Sequence, residues 1–173
     1  MKSKLVIILS FLLLATIGTF LWWAFSPLLF DTEVQDELNP ALKAKLETER
    51  RTQNENTNDH QVIEKSNASV ISQGPFPITG TPGHTAHGNV EIIKSPEETL
   101  LHYINYEGTN GPDLYVYLAK DLEANDYINL GAQRGNKGNI IYNIPSDVDL
   151  SKYKYVITWC KAFGVLFDYA EIR

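Results

Sequence analysis

The chain has 173 residues, room for one ordinary domain and an additional segment. Its formal net charge of −6 divides into −2 over residues 1–72 (7 Lys and Arg against 9 Asp and Glu) and −4 over residues 73–173 (8 against 12). The basic residues of the second part are scattered singly, which excludes the clustered cations that a nucleic-acid binder sets against phosphates. A single cysteine, Cys160, excludes an intramolecular disulfide, so the fold must rest on its apolar core or on a ligand.

From Leu5 to Phe25 no residue is charged, and a helix of about 20 apolar residues crosses a hydrocarbon core. Lys2 and Lys4 precede this stretch, and Asp31 and Glu33 follow it. Basic flanks stay on the cytoplasmic side, so the expectation is a short cytoplasmic N-terminus, a transmembrane anchor over residues 1–30, and the remainder outside the cytoplasm. Trp22 and Trp23 then fall near the outer interface. A cleaved signal peptide has a shorter apolar region ending in a small-residue site. Here the run ends in tryptophans, Phe25 and Pro27, which favours an uncleaved anchor.

Residues 31–73 read as a partly helical stalk and flexible linker. In VQDELNPALKAKLETERR, residues 34–51, Leu38, Leu42 and Leu46 recur four apart among charges, predicting a short surface helix that starts near Asn39–Pro40. A solvated spacer with one weak apolar stripe explains it more economically than a partner helix. Residues 52–74 are polar and almost free of aromatics, a tether that lets the domain stand off the membrane. Within them, Asn67-Ala68-Ser69 matches the short glycosylation acceptor pattern.

Residues 74–173 predict an all-β domain, a single small antiparallel sandwich or barrel-like unit. Segments of strand composition over 89–93, 100–106, 114–119, 127–131, 140–144, 156–160 and 165–172 alternate with turn formers such as Gly80-Thr81-Pro82-Gly83 and Gly108 to Asp113. All nine tyrosines lie between Tyr103 and Tyr169, where an aromatic core belongs. Alternation puts Tyr155, Ile157 and Trp159 on one face of their strand and Val156, Thr158 and Cys160 on the other.

The ordered set AHGNVEII at 86–93, GPDLYVYL at 111–118, LGAQRGNKGNIIYNIP at 130–145, DLSKYKYVITWC at 149–160 and FGVLFDYAEI at 163–172 resembles the DM13 domain family over about residues 74–172. The resemblance implies a small β domain with a redox or electron-transfer role centred on Cys160, either as a bare thiol or through a bound prosthetic group such as haem. The haem-binding partner domains often joined to this family are missing, which implies a separate redox or surface protein as partner. A non-catalytic carrier is thus expected rather than an enzyme. The alternative is a surface binding or assembly module that uses its tyrosines, with Cys160 as packing.

The chemistry of the residues leaves these readings open. A redox thiol needs a polar setting with some access, whereas free cysteine is commonly a small buried hydrophobe. His84 and His87 are candidate cofactor ligands beside Cys160, against the plainer reading of a loop histidine and a strand-start histidine. A copper electron-transfer site is disfavoured because the only methionine is Met1, and covalent haem because Cys-x-x-Cys-His is absent. Asp113, Asp147 and Asp149 offer oxygen ligands for calcium but are better read as turn and loop residues. There is no nucleophile elbow or paired-carboxylate arrangement for hydrolysis.

Overall fold

The computed structural model describes residues 2–56 and 70–173. The acceptor pattern at Asn67 and most of the polar tether lie outside the described residues. The first element, α1 (Lys2–Phe25), is long and apolar enough to cross a membrane, as its composition predicts. A single 3-10 turn, Ser26–Leu29, follows it.

Among the described residues ten strands form two sheets: β1 (Glu33–Gln35), β2 (Ile71–Pro77), β3 (Thr79–Gly80), β4 (Ala86–Lys94), β5 (Thr99–Gly108), β6 (Leu114–Ala119), β7 (Tyr127–Ala132), β8 (Lys137–Ile144), β9 (Tyr155–Cys160) and β10 (Val165–Glu171). Their order is β1-β8-β5-β4-β2 in one sheet and β3-β10-β9-β6-β7 in the other. Every pairing is antiparallel except β1 with β8. The seven strands expected from composition are all present, so the fold is the all-β sandwich. Its core is built from the inward positions of both sheets, including Val90, Ile92, Leu101, Tyr103, Val116, Leu118, Ile140 and Val156.

Strand direction gathers one set of loops at one end. Ala86 pairs with Gly108, Glu107 with Lys137, Tyr115 with Ala132, and Cys160 with both Leu114 and Val165. Residues 81–85, 109–113, 133–136 and 161–164 therefore share the end at which Cys160 lies. Thr81 N donates to Phe167 O, Thr109 N to Thr85 O and Lys161 N to Asp113 O, tying these loops together.

Two parts of the connector pack on the sandwich. Asp31 accepts from Asn136 and pairs with Lys137, the Thr32 carbonyl accepts from Asn136 N, and the Asp36 carboxylate accepts from Arg134 and from Ile141 N. Gly138, at φ 105°, makes this approach feasible, since a Cβ there would collide with the Val34 carbonyl oxygen. Helix α2 (Pro40–Asn56) starts where expected, with Asn39 Oδ1 accepting from Ala41 N at 2.9 Å as its N-cap.

The helix is not a solvated spacer. Leu42 and Leu46 are buried with Val70, Ile93 and Leu100 on the outer face of the first sheet. Arg50 pairs there with Glu91, which also accepts from Ser72 and contacts His102 Nδ1. Residues 31–36, ahead of this helix, are bonded to the sandwich, and 71–73 of the expected linker belong to β2.

Candidate functional site

Cys160 is the last residue of β9. It shares a face with Val156 and Thr158, as alternation predicts; that face is the inward one, and Cys160 is 0% exposed. Its Sγ donates to the Pro112 carbonyl at 3.1 Å, and it shares a small buried cluster with Leu114 and Phe167. Gly111, one residue before that proline, lies so close to the Phe167 ring that a Cβ would meet it at 2.7 Å. The 109–113 loop is thus pressed down as a lid over the thiol.

His84 stacks on the same Phe167 ring, with centroids 3.8 Å apart and planes 23° apart. Thr81 Oγ1 lies 3.2 Å from His84 Nδ1 and donates to the Leu166 carbonyl at 2.8 Å. The Thr81 hydroxyl, with one proton to give, lies within reach of the Leu166 and Phe167 carbonyls and of His84 Nδ1, and holds the ring in place against Phe167. Burial holds His84 below the usual imidazole range, so the ring is neutral at physiological pH. His87 is exposed on β4 opposite Glu107 and shares no enclosed space with the thiol.

The residues that sequence reasoning missed lie beside the cysteine on the inner face of the sandwich. A bulge in β10 between Leu166 and Asp168 turns two consecutive side chains, Phe167 and Asp168, into the core. Asp168 pairs with Thr158, two residues from Cys160, and is 1% exposed. It accepts a 2.8 Å hydrogen bond from the Tyr106 hydroxyl, which accepts from Gln133 Nε2 at 3.0 Å.

Burial pushes Asp168 up to about 6, against the opposing pull of Tyr106 and Thr158. The phenols of Tyr103 and Tyr106 are driven well above their usual value, chiefly by burial. Three buried oxygens around this carboxylate, Tyr103 OH, Thr158 Oγ1 and Gln133 Oε1, have no partner in hydrogen-bonding geometry. Thr158 nevertheless faces Asp168 closely enough to favour its charged form. The signal in the sequence was one acid in the apolar strand VLFDYA; what it lacked was any mark of the bulge.

A cleft of about 220 Å³ opens above these groups, lined among others by Asn110, Gly111, Leu114, Gln133 and Arg134. It is smaller than the roughly 300–1,000 Å³ of sites for drug-sized ligands. The haem that the resemblance allowed does not fit these residues. The thiol is sealed beneath its loop and already engaged with a carbonyl, and His87 faces solvent. No cluster of three or more His, Cys, Asp or Glu that could hold a metal occurs among the described residues. Asp149 instead caps a 3-10 turn by accepting from Ser151 N at 3.1 Å, and Asp113 sits in a turn at φ 55°.

A profile of the family described as Electron transfer DM13 matches residues 78–172. That is more than half of the chain and nearly all of the sandwich, including Cys160, His84, Tyr106 and Asp168. The chain belongs to the DM13 family. No curated protein and no solved structure gave a match.

Proposed function

We propose that this chain is a single-pass membrane protein whose DM13 domain lies outside the cytoplasm and carries electrons, with the Cys160 thiol as its redox group. Lys2 and Lys4 before α1 and the acidic residues after it support that orientation. The observation that carries the redox reading is the match of residues 78–172, Cys160 among them, to a family described by electron transfer. With one cysteine in the chain an internal disulfide is excluded, and with no exposure the oxygen-adding oxidations that need access are blocked. What remains is a one-electron step. As the 109–113 loop lifts from Pro112, the S–H bond of Cys160 breaks: its electron passes to a strongly oxidising one-electron acceptor on a separate protein, and its proton passes to the water the loop admits. The reverse step restores the thiol. The buried Asp168–Tyr106 pair supplies a second proton-holding group one residue pair along the same face.

The test is titration of the purified full-length chain in detergent with hexachloroiridate(IV), a one-electron acceptor strong enough to take an electron from a thiol. The wild type is expected to consume a single equivalent in its folded state and Cys160→Ser none, with both variants giving the same circular dichroism. Equal consumption by the two proteins defeats the proposal.

A second reading has its own observation. The outer face of the second sheet carries Tyr115, Tyr155, Trp159, Leu166 and Tyr169, half-buried around Tyr117 and Ile157, with Tyr127 stacked on Tyr117 at 4.1 Å. Rigid aromatic side chains of this kind make contact area at low entropic cost. As a binding module the domain would keep its membrane partner in Cys160→Ser and lose it in Tyr127→Ser or Trp159→Ser, read by cross-linking in native membranes. Loss in Cys160→Ser alone would reject this alternative.

A further inference from the structure

We propose that the Cys160 end of the sandwich rests on the bilayer surface, with Phe163 and Phe30 entering the headgroup layer, so that reactants reach the cleft from the membrane side. This rests on reading α1 as an uncleaved anchor.

Chain length comes first. Helix α1 ends at Phe25, and by Phe30 the backbone is already bonded to the sandwich, its carbonyl accepting from Asn110 Nδ2 at 2.8 Å. Only residues 26–29 intervene, and they form a 3-10 turn, which rises about 2 Å per residue. Even fully extended, the six steps from Phe25 to Asp31 reach about 20 Å. The end of the sandwich that holds Asn110, Asn136 and Lys137 is therefore tied down next to the end of the membrane helix. It is the same end that carries the cleft and Cys160, since the 109–113 loop both receives Phe30 and covers the thiol.

Surface chemistry comes second. At this end Phe30 is 63% exposed and Phe163 is 53% exposed, with Leu29 and Val165 also open to the outside. Phe163 sits at the tip of the β9–β10 turn beside exposed Lys161, an aromatic-plus-cation pair suited to the headgroup layer. Trp22 and Trp23, exposed on the last turns of α1, mark the depth of that layer. The opposite end has the reverse character. Its turns, 95–98, 120–126 and 145–154, carry seven acidic residues against Lys120, Lys152 and Lys154, a net charge of −4 that an anionic lipid surface repels. Both polarities point one way.

The experiment uses the full chain in nanodiscs of phosphatidylcholine and phosphatidylglycerol, with and without bromine on the acyl chains near the headgroups. Phe163→Trp adds emission to that of the unmodified chain, and Glu97→Trp does so at the opposite end. The added emission at 163 is expected to fall several-fold in brominated discs, while that at 97 stays unchanged. Carbonate washing of native membranes, with the mass of the retained chain, is run in parallel. A chain retained with α1 intact whose added emission at 163 is as unquenched as at 97 overturns the docking and leaves the anchor standing. A chain released by carbonate, or lacking α1, overturns the anchor reading and the docking together.

Discussion

Asp168 shows how one side chain records the cost of its setting. Its carboxyl is raised from the ordinary 3.8 to about 6 by burial. The folded state therefore keeps a proton that the unfolded chain has already released, and stability declines as pH rises through that interval. The penalty is absent below 3.8, grows between the two values and is complete above about 6, where a shift of this size is worth about 3 kcal/mol. Asp168→Asn, which can still accept from Tyr106, is expected to abolish the decline and to be more stable than the wild type at pH 7 by up to that amount. Urea unfolding of the full-length chain between pH 3.5 and 7 measures it; parallel curves for the two proteins would show that burial is not the cause. That Cys160 shares a face with Val156 and Thr158 was legible because period-2 alternation is local; which of the two faces is the core was not. Asp168 was not, because a bulge breaks that alternation at the one place it mattered.

At the scale of elements, the connector is where composition misleads. The helix was legible from Leu38, Leu42, Leu46 and the Asn39 cap, but its destination was not, since a weak apolar stripe says nothing of which surface will cover it. The sandwich supplies Ile93 and Leu100 as that surface, and Arg50–Glu91 as a polar clasp. Burial raises Glu91, but His102, Arg50 and Ser72 outweigh it and hold the carboxyl below its usual 4.5. The clasp therefore contributes fully above that value and is lost as pH falls through the lowered one. Arg50→Ala is expected to cost about 1–2 kcal/mol, discounted because Arg50 is half-exposed, and to move the acid release of α2 to higher pH. Hydrogen exchange of the 40–50 amides against pH reads both effects. Unchanged exchange at pH 6 and an unshifted acid midpoint would mean that the leucines alone hold the helix.

The molecule couples an apolar helix to a sandwich, and residues 31–36 and α2 of the connector are docked on that sandwich. If α1 is an anchor with Lys2 and Lys4 inside, protease added to sealed, right-side-out membranes should remove the DM13 domain and spare the N-terminus. Protection of the domain until the membrane is opened would reverse the orientation. The apolar helix, seven strands with their turns, the family frame and the face that Cys160 shares with Val156 and Thr158 were all legible in the sequence, because each follows from composition or from periodicity over a few residues. Only the tertiary structure decided that residues 31–36 fasten to the sandwich, that α2 covers one sheet, and that loops from four places in the chain meet over the thiol. Those outcomes rest on pairings such as Thr32 with Asn136, 104 residues apart, and β1 has only three residues. No local pattern marks such a short strand or names its partner, so hydrogen bonding and packing across the folded chain had to choose it.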